Sequence, residues 1–175
     1  DTNNSQTTKK EICCILNDSL KQIFYWLDIF QKYNIPISFN KMLKSRSGDC
    51  VDLANFSVLT MRTFGIPTSI DFTDQWADRS GGHSWNALIL GKDSSIPFNG
   101  AQLSPGEYNV PGLPGRGAKY YRYVYTNQDL TQLERLADSG EYIPKRFFKR
   151  YAIDVTSQYT KVSDLKVKFG FTKYN

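Results

Sequence analysis

Ser47-Gly48-Asp49-Cys50-Val51-Asp52-Leu53-Ala54-Asn55-Phe56-Ser57-Val58-Leu59-Thr60-Met61-Arg62-Thr63-Phe64-Gly65-Ile66-Pro67 reads as one helix with a clear start and a clear stop. Ser47 or Asp49 can cap its first turn, Gly65 supplies a left-handed residue after its last, and Pro67 bars continuation. Val51, Ala54, Val58, Met61 and the neighbouring Leu59 and Phe64 form the expected buried face. Cys50 falls in the first turn, where the helix dipole favours a thiolate. The single histidine of the chain, His83, follows in a strand-like run. A thiol at a helix start and a downstream imidazole are the raw material of thiol acyl transfer.

Before this helix, Thr8-Lys9-Lys10-Glu11 has the form of a capping box, so residues 1–8 are expected to be a polar lead-in. Ile12, Leu16, Leu20, Ile23, Leu27 and Phe30 then recur at spacings of three and four. The pattern predicts a long amphipathic helix ending near Tyr33-Asn34, with Pro36 blocking its continuation. Cys13 and Cys14 lie beside the stripe as small core or boundary residues. A polar, basic connection leads on to Ser47, with a short helical turn at 40–44.

After the Cys50 helix the period changes. Residues 68–72 alternate as a half-buried strand, and 83–90 make a strong strand, apolar on both faces towards its end and so expected to be central. Gly91-Lys92-Asp93-Ser94 is a tight turn, so 95–99 should return antiparallel. Residues 101–118 hold three Pro-Gly pairs and form a long loop without a phosphate-binding pattern. Lys119-Tyr120-Tyr121-Arg122-Tyr123-Val124-Tyr125 is a tyrosine-rich strand, whose rings could pack or line a sugar- or peptide-binding groove. A short helix spans Leu130 to Leu136 with Gly140 as its stop. Residues 152–155 and 161–169 read as final strands.

The bulk properties fit that reading. With 175 residues, 40% apolar and 14% aromatic, the chain can build a real core. The net charge of +5 is modest, and only Lys145-Arg146-Phe147-Phe148-Lys149-Arg150 resembles a basic aromatic patch. A solvated amphipathic face accounts for it, so no nucleic-acid partner is expected. No apolar run approaches a membrane span, so no membrane insertion is expected. Three cysteines, two of them adjacent, imply no disulfide framework and leave the compartment unread. One histidine and scattered cysteines make no metal site, and no cofactor is implied. Asp71, Asp74 and Asp78 read as solvated strand-end charges. Asn3-Asn4-Ser5 and Asn55-Phe56-Ser57 match the glycosylation pattern, the second inside a helix and by chance.

For the chemistry, a third group must fix the histidine ring through its other nitrogen. Asn99 is the candidate in the returning strand; Asp93, in the turn, should lie too far along. The alternative is a buried cysteine, a satisfied strand histidine and a turn asparagine.

The order Gly48-Asp49-Cys50, then Arg62-Thr63-Phe64-Gly65-Ile66-Pro67, then Gly82-His83-Ser84-Trp85-Asn86 resembles the transglutaminase-like (papain-related) superfamily over about 41–100. The resemblance implies an α+β fold: a papain-like/transglutaminase-like core with N-terminal helices packed on an antiparallel β-sheet. It implies Cys50 as nucleophile and His83 as general base and acid, with Asn99 where the family usually has aspartate. The implied activity is acyl transfer on an amide or peptide bond of a peptide or protein substrate, with hydrolysis preferred over transamidation. The backbone N–H of Cys50 is a plausible oxyanion donor, with Trp26, Asn40 and Trp76 as candidates for a second. The Trp76 segment, Tyr121-Arg122-Tyr123 and Asp154-Val155-Thr156 look similar to bacterial surface proteins carrying such domains. That implies an extracytoplasmic setting and further domains of a longer parent chain. The expected organisation is a lead-in at 1–8, a transglutaminase-like domain at 9–150, and C-terminal strands at 151–175 that could open a following β module. The competing function is a catalytically weak or inactive binding module on the same fold.

Overall fold

The computed structural model describes residues 2–27, 38–107, 117–143 and 148–163. Helix α1 spans Thr2–Ile23, followed by a two-residue strand β1 (Tyr25–Trp26), helix α2 (Phe39–Ser45) and a two-residue strand β2 (Ser47–Gly48). Helix α3 (Cys50–Thr63) leads into β3 (Thr68–Thr73), β4 (His83–Gly91) and β5 (Ser94–Phe98). The chain ends in β6 (Tyr121–Tyr123), α4 (Thr131–Asp138), β7 (Ala152–Asp154) and α5 (Thr156–Tyr159). β1 pairs parallel with β2, and the five longer strands form one antiparallel sheet in the order β5-β4-β3-β6-β7.

Helix α3 forms where the sequence places it. Asp49 is its N-cap, accepting from the backbone N–H of Val51 and Asp52, while Asp52 reaches back to the N–H of Asp49. This reciprocal box satisfies donors that a helix start leaves open, and it settles the cap on Asp49 rather than Ser47. Gly65 takes φ 74°, the left-handed conformation a residue with a side chain resists.

The packed face differs from expectation. Val51, Leu59 and Phe64 are exposed, and Leu53, Ala54, Phe56, Ser57, Val58 and Met61 turn inward. Leu53 and Phe56 join Leu20 and Phe24 of the α1 end and Met42 of α2, while Ala54 and Val58 sit on Ile70 of β3. Met61 packs with Cys13, Leu88 and Phe98. The helix is thus covered on two sides, which widens its inward face beyond a simple stripe.

Helix α1 is also rotated from the expected stripe: Cys13, Asn17 and Leu20 are buried, whereas Ile12 and Ile23 are largely exposed. It begins at Thr2, so the 1–8 stretch expected as a flexible lead-in is helical from there, a nucleated helix extending through any compatible residues. It stops at Ile23 because the next residues are drawn into backbone pairing: Tyr25 N–H donates to Arg46 O and Leu27 N–H to Gly48 O. Phe30, Tyr33, Asn34 and Pro36 lie outside the described residues.

β3 is buried along its whole length rather than half-buried, because it is central: α3 covers one face, and α5 with Tyr120 and Val155 covers the other. The expected break at 150/151 falls inside this sheet. β7 pairs with β6, and Val155 and Tyr159 pack on Trp85 of β4. Of the last expected strand, only 161–163 are among the described residues.

Asp71 corrects a further expectation. Its carboxylate is fully buried and receives two hydrogen bonds from the Arg122 guanidinium, both 2.7 Å. Tyr159 Oη donates to it at 2.5 Å and accepts from Trp85 Nε1 at 2.9 Å. Arg122 also donates to Ser95 Oγ. The pair is bidentate and saturated, the condition under which a buried charge is tolerated.

Candidate active site

Helix α3 runs away from Cys50, and β3 returns antiparallel to it, so the end of β3 comes back to the level of the cysteine. Thr73 at that end pairs with His83, the first residue of β4. β5 runs parallel to β3 and brings Asn99, just beyond its last residue, to the same end. Three residues distant in sequence therefore gather at one edge of the sheet.

The contacts agree with that topology. The backbone N–H groups of Ser84, the residue after His83, of Val51 and of Cys50 itself lie close enough to the Cys50 sulfur to favour its thiolate. The His83 ring hydrogen-bonds the Asn99 side chain. Its Nε2 is buried and has no hydrogen-bond partner among the described residues. Asp93 sits in the turn at the far end of β4, roughly 25–30 Å of strand away. Asn99 lies at the His83 end of the hairpin and Asp93 at the other.

Several devices hold these groups. Trp76 N–H donates to Gly81 O, closing the loop that delivers Gly82 and His83. A Cβ on Gly82 would stand 2.1 Å from Thr73 O, so only glycine lets β4 start this close to β3. The His83 ring lies between two indoles, with centroids 6.4 Å from Trp76 and 5.7 Å from Trp85. Asn86 donates to Ala54 O in α3 and accepts from Gly100 N–H, bolting the helix to the segment that carries Asn99. From the other side, Asn17 of α1 donates to Asn99 O at 3.3 Å and accepts from Ala101 N–H at 2.8 Å. Sequence reading gave no role to Asn17 or Asn86. The signal for the first was a polar residue four after Cys13 and three before Leu20, on what proves to be the buried line of α1.

The electrostatics reverse one expectation. Burial pushes the Cys50 thiol up from its ordinary value, the neighbouring Asp49 carboxylate adds to this, and the backbone N–H groups offset it only in part. Burial pushes the His83 imidazolium down, and Asn99 opposes it. Both shifts run towards the uncharged forms. The helix start lowers the cost of a thiolate without overcoming desolvation.

Of the suggested oxyanion donors, Trp26 lies on β1, paired with Gly48 two residues before Cys50, with its side chain half-exposed. Trp76 is buried against His83, and Asn40 is exposed on α2. Among the described residues no group of histidine, cysteine or acidic side chains is placed to hold a metal ion, and no helix is long and apolar enough to cross a membrane.

The family model of the transglutaminase-like superfamily matches residues 4–99, more than half of the chain and the segment from α1 to Asn99. The chain belongs to the transglutaminase-like superfamily. No curated protein is significantly similar to it in sequence. Among solved structures, it is similar to Legionella pneumophila LapG in an EGTA-treated form. The two share 14% identity and a TM-score of 0.51 over 76% of this chain and 80% of that one. A second LapG structure from the same organism is 14% identical, with a TM-score of 0.49 over 77% of each chain. At such identity the first likeness speaks to the fold, and it covers a larger share of the chain than the family match does. The papain-like, transglutaminase-like α+β core read from Gly48-Asp49-Cys50 and Gly82-His83-Ser84-Trp85-Asn86 is the observed architecture, one common to cysteine peptidases.

Proposed function

We propose that this transglutaminase-like domain is a cysteine-dependent acyl-transfer enzyme acting on amide or peptide bonds of a peptide or protein substrate. The observation that carries the reading is the joint placement of Cys50 against the Ser84 backbone and of Asn99 on the His83 ring. The buried, unpartnered Nε2 of His83 supplies a proton acceptor that the fold does not otherwise use.

In this reading His83 Nε2 takes the thiol proton as the sulfur attacks the carbonyl carbon. Asn99 accepts from Nδ1–H and holds the ring while the imidazolium forms. The backbone N–H of Cys50 stabilises the developing oxyanion. The C–N bond then breaks, His83 returns its proton to the leaving amine, and Cys50 remains as a thioester. Water deprotonated by His83 cleaves that thioester. Hydrolysis is preferred to amine transfer, since no residue specifies an amine acceptor. An extracytoplasmic setting and a longer parent chain follow the resemblance to bacterial surface proteins.

The test is alkylation of the native protein by iodoacetamide across pH, with casein cleavage in parallel. Wild type should label at Cys50 at neutral pH at least about tenfold faster than His83→Ala and should cut casein, while Cys50→Ala cuts nothing. Labelling that is slow, unchanged by His83→Ala and unaccompanied by cleavage would instead identify a binding module, the reading favoured by an asparagine where the family usually has aspartate.

A further inference from the structure

We propose that the groove between α3 and β6 binds an uncharged aromatic or branched apolar side chain of the polypeptide substrate, beside the bond attacked at Cys50. The inference rests on the catalytic reading above and adds the chemistry of the substrate. The groove is a cavity of about 420 Å³, with Asn55, Val58 and Leu59 of α3 on one wall and Tyr123, Tyr125 and Tyr151 on the other. That volume suits one large side chain with the backbone passing over it.

Its position relative to Cys50 follows from named contacts. Ser84, whose N–H meets the Cys50 sulfur, pairs across the sheet with Phe72, and the Phe72 ring stacks on Tyr123 at 4.6 Å. Along the helix, Asn55 to Leu59 lie about 7–14 Å from Cys50 at ~1.5 Å per residue. An extended peptide advances ~3.3 Å per residue, so the pocket meets a side chain about two to four residues from the scissile carbonyl. At the Cys50 end the Lys149 ammonium sits over the Phe72 and Tyr121 rings and is ion-paired with Asp74. Tyr123, Tyr125 and Tyr151 remain largely exposed.

The lining decides the class of occupant. No charged side chain lines the groove, and the Arg62 guanidinium over the Tyr125 ring is already donating to Thr68 O, so a cationic residue would be desolvated beside a like charge and an anionic one would have to compete for Arg62. Two of its non-tyrosine donors are already engaged: Asn55 Nδ2 donates to Val51 O, and Ser69 Oγ donates to Tyr123 O at 2.6 Å. A sugar needs many free hydrogen-bond partners, whereas an apolar side chain needs the aromatic and aliphatic faces the groove presents. The three tyrosine hydroxyls leave room for a phenol among the occupants.

Two readouts separate this inference from the catalytic one. In the first, tyrosine resonances of the Cys50→Ala protein are followed by NMR with millimolar N-acetyl-L-phenylalaninamide, N-acetyl-L-glutamate amide or cellobiose. The phenylalanine amide alone should shift Tyr123, Tyr125 and Tyr151, and Leu59→Asp should abolish the shifts. Leu59 is 53% exposed, so this change leaves the core intact. In the second, wild type is given a library of fluorogenic peptides. One position two to four residues from the cut should prefer aromatic or branched apolar residues by at least about tenfold. Leu59→Asp should erase that preference. Shifts without cleavage of any peptide would sink the catalytic reading and leave the pocket standing. Cleavage without preference and without shifts, or shifts from cellobiose or the glutamate amide, would overturn the pocket.

Discussion

The side chain of Asn99 hydrogen-bonds the ring of His83 from the returning arm of the β4–β5 hairpin. An amide in this place orients the imidazole without supplying the charge that would stabilise its protonated form. Asn99→Asp should therefore raise the His83 pKa, since a carboxylate favours imidazolium, and move the acid limb of any pH–rate profile to higher pH. Asn99→Ala should lower the pKa further and cut activity by about 10-fold or more. The chain has one histidine, so a single imidazole resonance in a proton NMR titration reads both shifts without assignment. An unchanged midpoint in Asn99→Asp would mean that the hydrogen bond is not made in solution.

The depressed His83 pKa also makes folding stability depend on pH. Unfolded, the imidazole titrates near ~6.5; folded, it titrates lower, so between the two values the unfolded chain binds more protons. Stability from this group is present above about pH 6.5 and is lost as pH falls through the folded value. Urea midpoints measured from pH 5 to 8 should fall on the acid side in wild type, and His83→Gln should flatten that part of the curve.

Asn17 links α1 to the backbone on either side of Gly100. Asn17→Ala leaves the Ala101 N–H and the Asn99 O without these partners in a buried setting, at a cost of about 1–3 kcal/mol. The loss should register in the urea midpoint. It should also slow Cys50 alkylation at neutral pH, because the displaced segment carries Asn99. A variant that loses stability but keeps its alkylation rate would show that Asn17 serves packing alone.

Cys13 is fully buried and its thiol is pushed up to about 12, chiefly by burial. Iodoacetamide under native conditions should leave Cys13 unlabelled while Cys50 reacts, and mass spectrometry of the digested protein reads the distinction. Labelling of Cys13 at a rate similar to Cys50 would mean that α1 opens readily from α3.

What could be read in advance was local. The cap at Asp49, the stop at Gly65 and the hairpin around Lys92-Asp93 each lie within a few residues, and each formed as its pattern implies. What could not be read depends on partners far along the chain. The pairing of Tyr25 and Trp26 with Ser47 and Gly48 leaves no period in either segment, so α1 was expected to run on. Asp71 looks like a solvated charge until Arg122 and Tyr159 are placed beside it. The Cys50 thiol illustrates the same limit: its helix position is a sequence property, but its desolvation depends on what folds over it.

The closure of Asp71 by Arg122 and Tyr159 has a consequence for how the protein is made. Cys50, His83 and Asn99 all precede Arg122 and Tyr159 in the chain. A carboxylate buried without its guanidinium costs several kcal/mol, about 3–5 when one partner of such a pair is removed. A sheet closed over Asp71 before Arg122 is added would carry that cost, so the late segment completes what the early strands begin.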